Sequence, residues 1–372
     1  MNNYNILKDS TNHNKYNLLE KEISLKSYIS LVLVSSFSAS LIFLGFLVLI
    51  IILSQSSAAL NLNSCSKSLQ LTIQSGCNRE QALCERTYNN VAYATMHNAF
   101  ATTQDGFPIA QHRGCMRSGL TSGIRAFMLD IHLTESGDLK LCHALCSLGS
   151  SSLTKTLSMF EEFLRLNPRE IVTIIWEFGV DGREKKTAED KASMKRLLQI
   201  EMKSTGLLPY LHSQTRHQPW PTLNELIGNN SRLVSLTDTW TSSDEPWDMY
   251  LWDYAFETKF NSKTQEELDK SCVDNRGSSN NSLLILNHFT VVGAIGIDTQ
   301  KIDTLAQYTG INTLLGINRE PYMFNRISDC AECLGRFPNF ITVDFWESSD
   351  VILVVEKINS GTFLSNQSKC IY

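Results

Sequence analysis

The stretch GIRAFMLDIH, residues 123–132, is a strand-like run that ends in two ionisable residues, Asp130 and His132. Similar runs recur along the chain with longer helical patterns between them, which is typical of βαβ units and a parallel sheet. We count about eight candidate strands, at 91–97, 123–133, 139–143, 171–178, 233–237, 250–256, 283–289 and 339–346. They predict an α/β fold of the (β/α)8 TIM-barrel type, whose active residues lie at the C-terminal ends of the strands.

Helical patterns separate several of the strands, at 153–166, 187–204 and 298–315, and another follows the last strand at 350–358. A barrel of ~250 residues or more fits this chain of 372 residues. Because no internal repeat is evident, residues 85–372 are predicted to form one catalytic domain.

An uncharged apolar segment occupies residues 27–55. As a helix it exceeds the ~20 residues needed to span a bilayer, so we predict a transmembrane signal anchor behind a cytoplasmic tail, residues 1–26. A cleaved signal peptide is the alternative, since small residues follow at 56–59, but its apolar core would span only ~7–15 residues. In that case the protein is secreted.

All ten cysteines and three N-x-S sequons, at Asn229, Asn280 and Asn366, follow the apolar segment. This predicts a disulfide-bonded glycoprotein domain on the extracellular or lumenal side. Residues 56–84, with three cysteines, are predicted to be a stalk or strap on the main domain. Cys330-x-x-Cys333 could instead be half of a zinc site, but no second pair with ligand spacing accompanies it. The pairing of the cysteines cannot be deduced.

The charge of the chain excludes one class of partner. Its net charge is −5, and no run of Lys and Arg resembles a nucleic-acid-binding stripe. Any phosphate that the protein handles must therefore be held locally.

Four consecutive candidate strands end in ionisable residues: His97, followed by Asn98, then Asp130 with His132, then His143, then Glu177. In a barrel these strand ends converge on one mouth, although they are scattered in sequence. The histidines at 112, 212 and 217 lie in polar loops, and we assign them no site role.

Strand parity separates the residues around Asp130, because alternate side chains point to opposite faces. Met128, Asp130 and His132 share one face, whereas Arg125 belongs to the other and to the beginning of the strand. Arg125 is therefore predicted to be structural, with an exposed or salt-bridged guanidinium.

Five segments together resemble the X-domain of phosphatidylinositol-specific phospholipase C. They are NVAYATMHNAF (90–100), GIRAFMLDIH (123–132), LKLCH (139–143), FLRLNPREIVTIIWEF (163–178) and NFITVDF (339–345). The resemblance covers about residues 85–360, is dense through 90–180 and is thin between 185 and 335. It implies a distorted TIM barrel that cleaves a phosphatidylinositol-like membrane phospholipid.

The resemblance also implies catalytic roles. His97 takes the proton from the inositol 2-hydroxyl, which attacks phosphorus to give a cyclic phosphate, and His143 protonates the departing glycerol oxygen. Asp344 orients His97. Two imidazoles of near-neutral pKa can divide the base and acid roles, and each contributes ~10²–10⁴ in rate.

Calcium-dependent members of the family hold Ca²⁺ with residues that match Asn98, Asp130 and Glu177, and oxygen ligands of this type suit that ion. Met128 stands where those enzymes place a further acidic ligand. The metal-free bacterial members have an Arg two residues after the aspartate, where this chain has His132. We expect Ca²⁺, with His132 either a cationic phosphate contact or a hydrogen-bonding residue.

Two other functions stay open. The barrel could act on another substrate, such as a glycerophosphodiester, or it could be a catalytically silent lipid- or glycan-binding module. The presence of both His97 and His143 favours the enzyme.

Overall fold

The structure, a computed structural model, describes residues 65, 68–72, 75–108, 110–143, 145–240, 248–291 and 316–361. The chain divides into two compact units, Met1–Leu60 and Asn61–Tyr372, and every described residue belongs to the second. The segment predicted to cross the membrane and the helix predicted at 298–315 lie outside the described residues. Within the described ranges, no helix has both the length and the apolar character needed to cross a bilayer.

One sheet of eleven strands organises the described part of the chain. The strands are β1 (Tyr93–Met96), β2 (Ala126–Leu133), β3 (Leu139–Leu141), β4 (Ser151–Ser152), β5 (Val172–Val180), β6 (Leu233–Thr237), β7 (Met249–Tyr250), β8 (Ala255–Thr258), β9 (Asp274–Gly277), β10 (Leu283–Asn287) and β11 (Phe340–Val343). Eight of them form a parallel series in the order β7-β6-β5-β2-β1-β11-β10-β8. The other three pair antiparallel: β9 with β8 at one end of the series, β3 with β2, and β4 with β3.

This order is that of a barrel opened at one place. Each parallel strand lies beside the next one along the chain except at β7 and β8, and the first, β1, pairs with the last, β11. No pairing joins β7 to β8 among the described strands, and we call this gap the seam. The predicted parallel α/β fold is confirmed, as a curled and open sheet rather than a closed (β/α)8 barrel.

Eight helices accompany the described strands. They are α1 (Met116–Ser122), α2 (Leu153–Leu166), α3 (Ala188–Ser204), α4 (Leu223–Gly228), α5 (Leu251–Tyr254), α6 (Gln265–Asp269), α7 (Tyr322–Leu334) and α8 (Val351–Asn359). Side chains fix where several of them begin: Ser152 caps α2, and Thr187 forms a capping box with Asp190 at α3. These caps explain why the boundaries predicted for α2 and α3 agree with the structure to within one residue.

Two candidate strands were interpreted wrongly. The segment 139–143 does not supply a parallel strand, because β3 runs antiparallel to β2. The turn between them, residues 134–138, is tied by Thr134 N–H to Asp138 O (2.9 Å), and a parallel crossover needs a dozen residues or more. The candidate at 250–256 contains the one-turn helix α5, which separates β7 from β8. The predicted number of eight parallel strands is still correct, because the candidate at 250–256 supplies two parallel strands, β7 and β8, and the candidate at 139–143 supplies none.

Apolar side chains fill the N-terminal end of the barrel interior. Inward-facing residues such as Ala126, Ile175, Val234 and Phe340 pack in one buried cluster with Tyr88 and Trp220, which close the bottom. A larger cluster lies between the outer face of the sheet and the helices. Because the apolar residues of the barrel interior lie at the N-terminal ends of the strands, the C-terminal ends form its polar end.

The predicted disulfides are present. The described pairs are Cys65–Cys115, Cys77–Cys84, Cys142–Cys146 and Cys272–Cys330, and Cys333 is also disulfide-bonded. Because Cys330 and Cys333 are both oxidised, they do not form half of a zinc site. Two sequon residues, Asn229 and Asn280, are exposed, and Asn366 lies outside the described residues.

Candidate active site

His97 and Asp344 meet at the C-terminal ends of the two neighbouring strands β1 and β11. His97 Nδ1 lies 2.9 Å from Asp344 Oδ1, and the Asp344 side chain is fully buried. Because the ionised carboxylate can only accept, Nδ1 carries the hydrogen in the neutral ring. His97 Nε2 is therefore the nitrogen that can take a proton from a substrate.

The two strands end in the same way. Asn98 follows His97 with φ 44°, and Phe345 follows Asp344 with φ 49°. Both values lie in the left-handed region, which asparagine adopts more readily than other residues and which is strained for phenylalanine. The backbone is held there by Phe345 N–H donating to Gln111 O (2.8 Å) and by the Asn318 amide donating to Asp344 O (2.7 Å).

Two aromatic rings support His97. Phe289 stacks on the imidazole with ring centroids 4.0 Å apart and an interplanar angle of 7°. His112 is fully buried, and its Nε2 donates to the His97 carbonyl oxygen at 2.6 Å. The sequence placed His112 in a polar loop with no site role. No local sequence pattern predicts that this loop packs against the end of β1.

Asp344→Asn tests the orienting role. The asparagine keeps the size of the side chain but removes the negative charge that stabilises a protonated His97. Because an asparagine amide can also donate to Nδ1 and so hold the wrong tautomer, we expect the rate that depends on His97 to fall by about 10²–10⁴-fold. A kcat measurement on the purified variant checks this, with circular dichroism to show that the fold is kept. An unchanged kcat would contradict the role.

Three carboxylates face the polar end of the sheet beside His97. Asp130 on β2 and Glu177 on β5 are register partners, and Asp238 follows β6. Removal from bulk water raises the pKa of Asp130 well above its ordinary value, and the charges of Glu177 and Asp238 raise it further. The same desolvation and the charge of Asp238 raise the pKa of Glu177, although its side chain keeps an exposed face. This crowding of like charge favours a proton or a cation at the site.

Two cations that the sequence did not single out also reach this region. Arg276, on β9, forms an ion pair with Glu257 and lies over the rings of Trp252 (4.8 Å) and Phe260 (4.5 Å). Lys186 Nζ lies 3.8 Å from Asp238 Oδ2. Arg276 sits on an antiparallel strand outside the parallel series, so the rule of strand ends could not identify it.

One recess collects most of these groups, although Lys186 is not among the described residues that line it. The described residues that line it include His97, Asn98, Asp130, Glu177, Trp252 and Arg276. The parity argument is supported, because Met128 also lines the recess whereas Arg125 does not.

His143 reaches the same end of the sheet by a different route. The antiparallel strand β3 carries the chain back along β2, and Cys142 N–H donates to Asp130 O at 3.3 Å. His143 is the next residue and is half-buried. His143 therefore directly follows a residue that is hydrogen-bonded to Asp130. It is not among the described residues that line the recess.

His132 also lies outside the recess lining. Its ring packs on Gly179, where an added Cβ would lie 2.6 Å from the imidazole, and it lies within 4.8 Å of the Cys142 and Cys146 sulfurs. Those sulfurs are joined in a disulfide and so are not thiolate ligands. Burial lowers the pKa of His132 to about 4, which favours a neutral imidazole over a cationic phosphate contact at neutral pH.

Comparison with known proteins agrees with this geometry. The family model described as PI-PLC X 1 matches residues 83–359, about three quarters of the chain. The chain belongs to the PI-PLC X family. The resemblance predicted from the sequence is confirmed.

Relatives of this PI-PLC X chain are distant. A PI-PLC X domain-containing protein 1 of the fungus Arthroderma benhamiae is 25% identical over 295 residues, which are 76% of this chain and 89% of the relative. An uncharacterized secreted protein of the same fungus is 23% identical over 316 residues, which are 80% of this chain and 67% of the relative.

A solved structure shows a similar fold. It is a pentafluoro-Phe-containing phosphatidylinositol-specific phospholipase C from Staphylococcus aureus, with a TM-score of 0.51 and 14% identity. The alignment covers 80% of this chain and 99% of that structure. At this identity the likeness shows the fold alone.

Proposed function

We propose that the protein is a phospholipase C-type phosphoric diester hydrolase acting on a phosphatidylinositol-like membrane lipid. The observation that carries the proposal is the His97–Asp344 pair, whose 2.9 Å contact leaves His97 Nε2 as a base at a recess lined with charged groups. Membership of the PI-PLC X family supports the same chemistry.

The proposed reaction is an intramolecular displacement at phosphorus. The proton of the inositol 2-hydroxyl passes to His97 Nε2 as its oxygen attacks phosphorus. The bond from phosphorus to the glycerol oxygen breaks, and that oxygen takes a proton from His143. The products are diacylglycerol and a cyclic inositol phosphate, and later hydrolysis of the cyclic product reverses the two roles. Arg276 and Lys186 supply positive charge near the phosphate, which favours the charged transition state.

The family resemblance implies Ca²⁺ on Asn98, Asp130 and Glu177, and the described side chains fit a cation. Besides desolvation, the charges of Glu177 and Asp238 raise the pKa of Asp130 and the charge of Asp238 raises that of Glu177, and a bound cation would offset this repulsion. The Asn98 amide lies against the Asp130 carboxylate. With its NH₂ group turned there, it donates at 3.0 and 3.1 Å, whereas with its oxygen turned there it adds a third ligand of the type that Ca²⁺ prefers. When bound, the ion would supply positive charge next to the phosphate.

Thermal unfolding tests the calcium proposal without an activity assay. At Ca²⁺ about 100-fold above its Kd, the wild-type protein is expected to gain about 2.7 kcal/mol, and Asp130→Asn is expected to gain nothing. The calcium concentration needed should rise as the pH falls, because protons compete for carboxyls whose pKa is raised. In chelator at neutral pH, Asp130→Asn should be more stable than the wild type, since ionisation above a raised pKa opposes folding. Equal calcium stabilisation of both proteins would contradict the site.

The activity test uses vesicles that contain phosphatidylinositol, with and without chelator. Detection of the cyclic phosphate by ³¹P NMR identifies the reaction. Turnover of glycerophosphodiesters but not of phosphatidylinositol would support the alternative substrate, and the absence of any turnover would support a catalytically silent barrel. Turnover that persists in chelator would contradict the calcium proposal and would leave the proposed roles of the two histidines intact.

The membrane anchor stays a prediction. The disulfides and the secreted relative fit an extracellular or otherwise oxidising location. An enzyme held on that side by an anchor at 27–55, or secreted there after cleavage, has access to lipid on the non-cytosolic face of a membrane.

A further inference from the structure

The loop that carries His143 is closed by a disulfide. It reads CHALC, residues 142–146, and Cys142 and Cys146 are bonded with their Cα atoms 5.1 Å apart. The inference drawn from this loop rests on the proposed function, in which His143 is the general acid. That function assigns no role to the disulfide.

Contacts fasten both ends of the loop to the strands that carry the acidic residues. At the first end, Cys142 is fully buried, and its N–H donates to the carbonyl oxygen of Asp130. At the other end, Cys146 N–H donates to Asp181 Oδ1 at 3.0 Å. Asp181 directly follows β5, and its own N–H donates to Leu133 O at the end of β2 (3.1 Å). The loop is thus fixed to the ends of β2 and β5.

The His132 ring packs beside the disulfide, with a ring nitrogen within 4.8 Å of the Cys142 and Cys146 sulfurs. Gly179 leaves the ring the room to sit there, since an added Cβ at that position would lie 2.6 Å from the imidazole. The cystine is therefore packed against protein at Cys142 and His132, while Cys146 stays half-buried.

The described part of the 142–146 loop contains no strand or α-helix. One described backbone hydrogen bond lies inside it, from Leu145 N–H to His143 O at 2.9 Å. A short irregular segment of this kind loses conformational freedom when it is cross-linked, so the disulfide narrows the positions that His143 can occupy. A general acid must lie within hydrogen-bond reach of the leaving oxygen, and a displacement of about 1 Å can cost ~10²-fold in rate.

We propose that the Cys142–Cys146 disulfide and the Asp181 carboxylate position His143 for proton transfer to the leaving group. Neither touches the substrate, so both are positioning elements. Their effect should therefore appear only in the step that needs the acid.

Leaving-group dependence separates this role from a general loss of structure. The lipid leaves as a glycerol alkoxide, which must be protonated, whereas a soluble inositol phosphodiester with a nitrophenol leaving group departs without a proton. For Cys142→Ser/Cys146→Ser we expect kcat on phosphatidylinositol vesicles to fall about 10- to 10²-fold, with a change of less than about threefold on the nitrophenyl substrate. His143→Ala should show the same pattern with a larger loss on the lipid, and adding the two serine changes to His143→Ala should cost little more, because the acid that the disulfide positions is already absent.

Cys77→Ser/Cys84→Ser is the matched control. It removes another short-range disulfide, with a separation of 7 residues against 4, near the N-terminal ends of the strands. It is expected to lower the melting temperature and to leave the ratio of the two substrate rates unchanged.

Asp181 provides a second test if the serine variant does not fold. Asp181→Ala removes the acceptor for Cys146 N–H and should reproduce the leaving-group pattern more weakly. Asp181→Asn keeps an acceptor oxygen and should restore the lipid rate. Equal loss on both substrates, or no loss on the lipid, in the cysteine and Asp181→Ala variants would overturn the proposal. Wild-type lipid turnover by His143→Ala would instead overturn the proposed acid, and with it the proposed function.

Discussion

His97→Ala is expected to reduce turnover of phosphatidylinositol vesicles by ~10²–10⁴, the usual contribution of a general base. The loss should appear on the nitrophenyl substrate as well as on the lipid, because the attacking hydroxyl must give up its proton in both reactions. Calcium stabilisation should persist, since the three proposed ligands are unchanged. Steady-state kinetics on both substrates, with thermal unfolding in Ca²⁺, checks each part.

The control for this variant is His217→Asn. His217 is exposed and adopts a left-handed φ of 62°, which asparagine tolerates. Wild-type activity is expected there. Wild-type turnover by the His97→Ala protein would contradict the two-histidine mechanism.

Arg125→Leu is expected to reduce the free energy of unfolding by about 3–5 kcal/mol, because it leaves a buried carboxylate without its partner. Arg125 is 3% exposed, and its Nε donates to Glu170 Oε2 at 2.6 Å. Its Nη1 also donates to the carbonyl oxygens of Leu120 (2.8 Å) and Ile124 (2.7 Å). Urea unfolding measures the loss.

Two further variants test whether the loss of stability comes from burial of the Arg125–Glu170 pair or from the loss of any positive charge. Arg165→Leu breaks the exposed pair of Arg165 with Glu161 and should change stability little. Replacing Arg125 and Glu170 together by Leu should recover part of the loss, because neither charge is then buried alone. A stable Arg125→Leu protein whose kcat has collapsed would contradict the structural assignment.

The strand-end residues were predictable because parallel strands place their C-terminal ends together. That rule and strand parity led to His97, Asn98, Asp130 and Glu177, all of which line the recess. Strand parity also predicted a structural Arg125 with an exposed or salt-bridged guanidinium, and in the structure this guanidinium is buried and paired with Glu170. Asp344 was reached only through the family resemblance, since a buried aspartate in an apolar run does not by itself show its partner.

Other parts of the site depend on contacts that local patterns do not encode. Arg276 reaches the recess from β9, and His112 reaches His97 from a loop. The direction of β3 could have been read from its connection to β2, which is too short for a parallel crossover. The arrival of His143 beside Asp130 follows from that reversal.

The seam between β7 and β8 divides the sheet into two arms that meet at β1 and β11. One arm carries Glu177 and Asp238, and the other carries Glu257 and Arg276. A closed ring spreads any change in its width over every strand, whereas an open one can widen at its gap. Widening at the seam would therefore move the two charged walls apart while the paired strands keep His97 against Asp344. The recess thus lies between two walls that no pairing among the described strands ties together, whereas the base and its partner lie on paired strands.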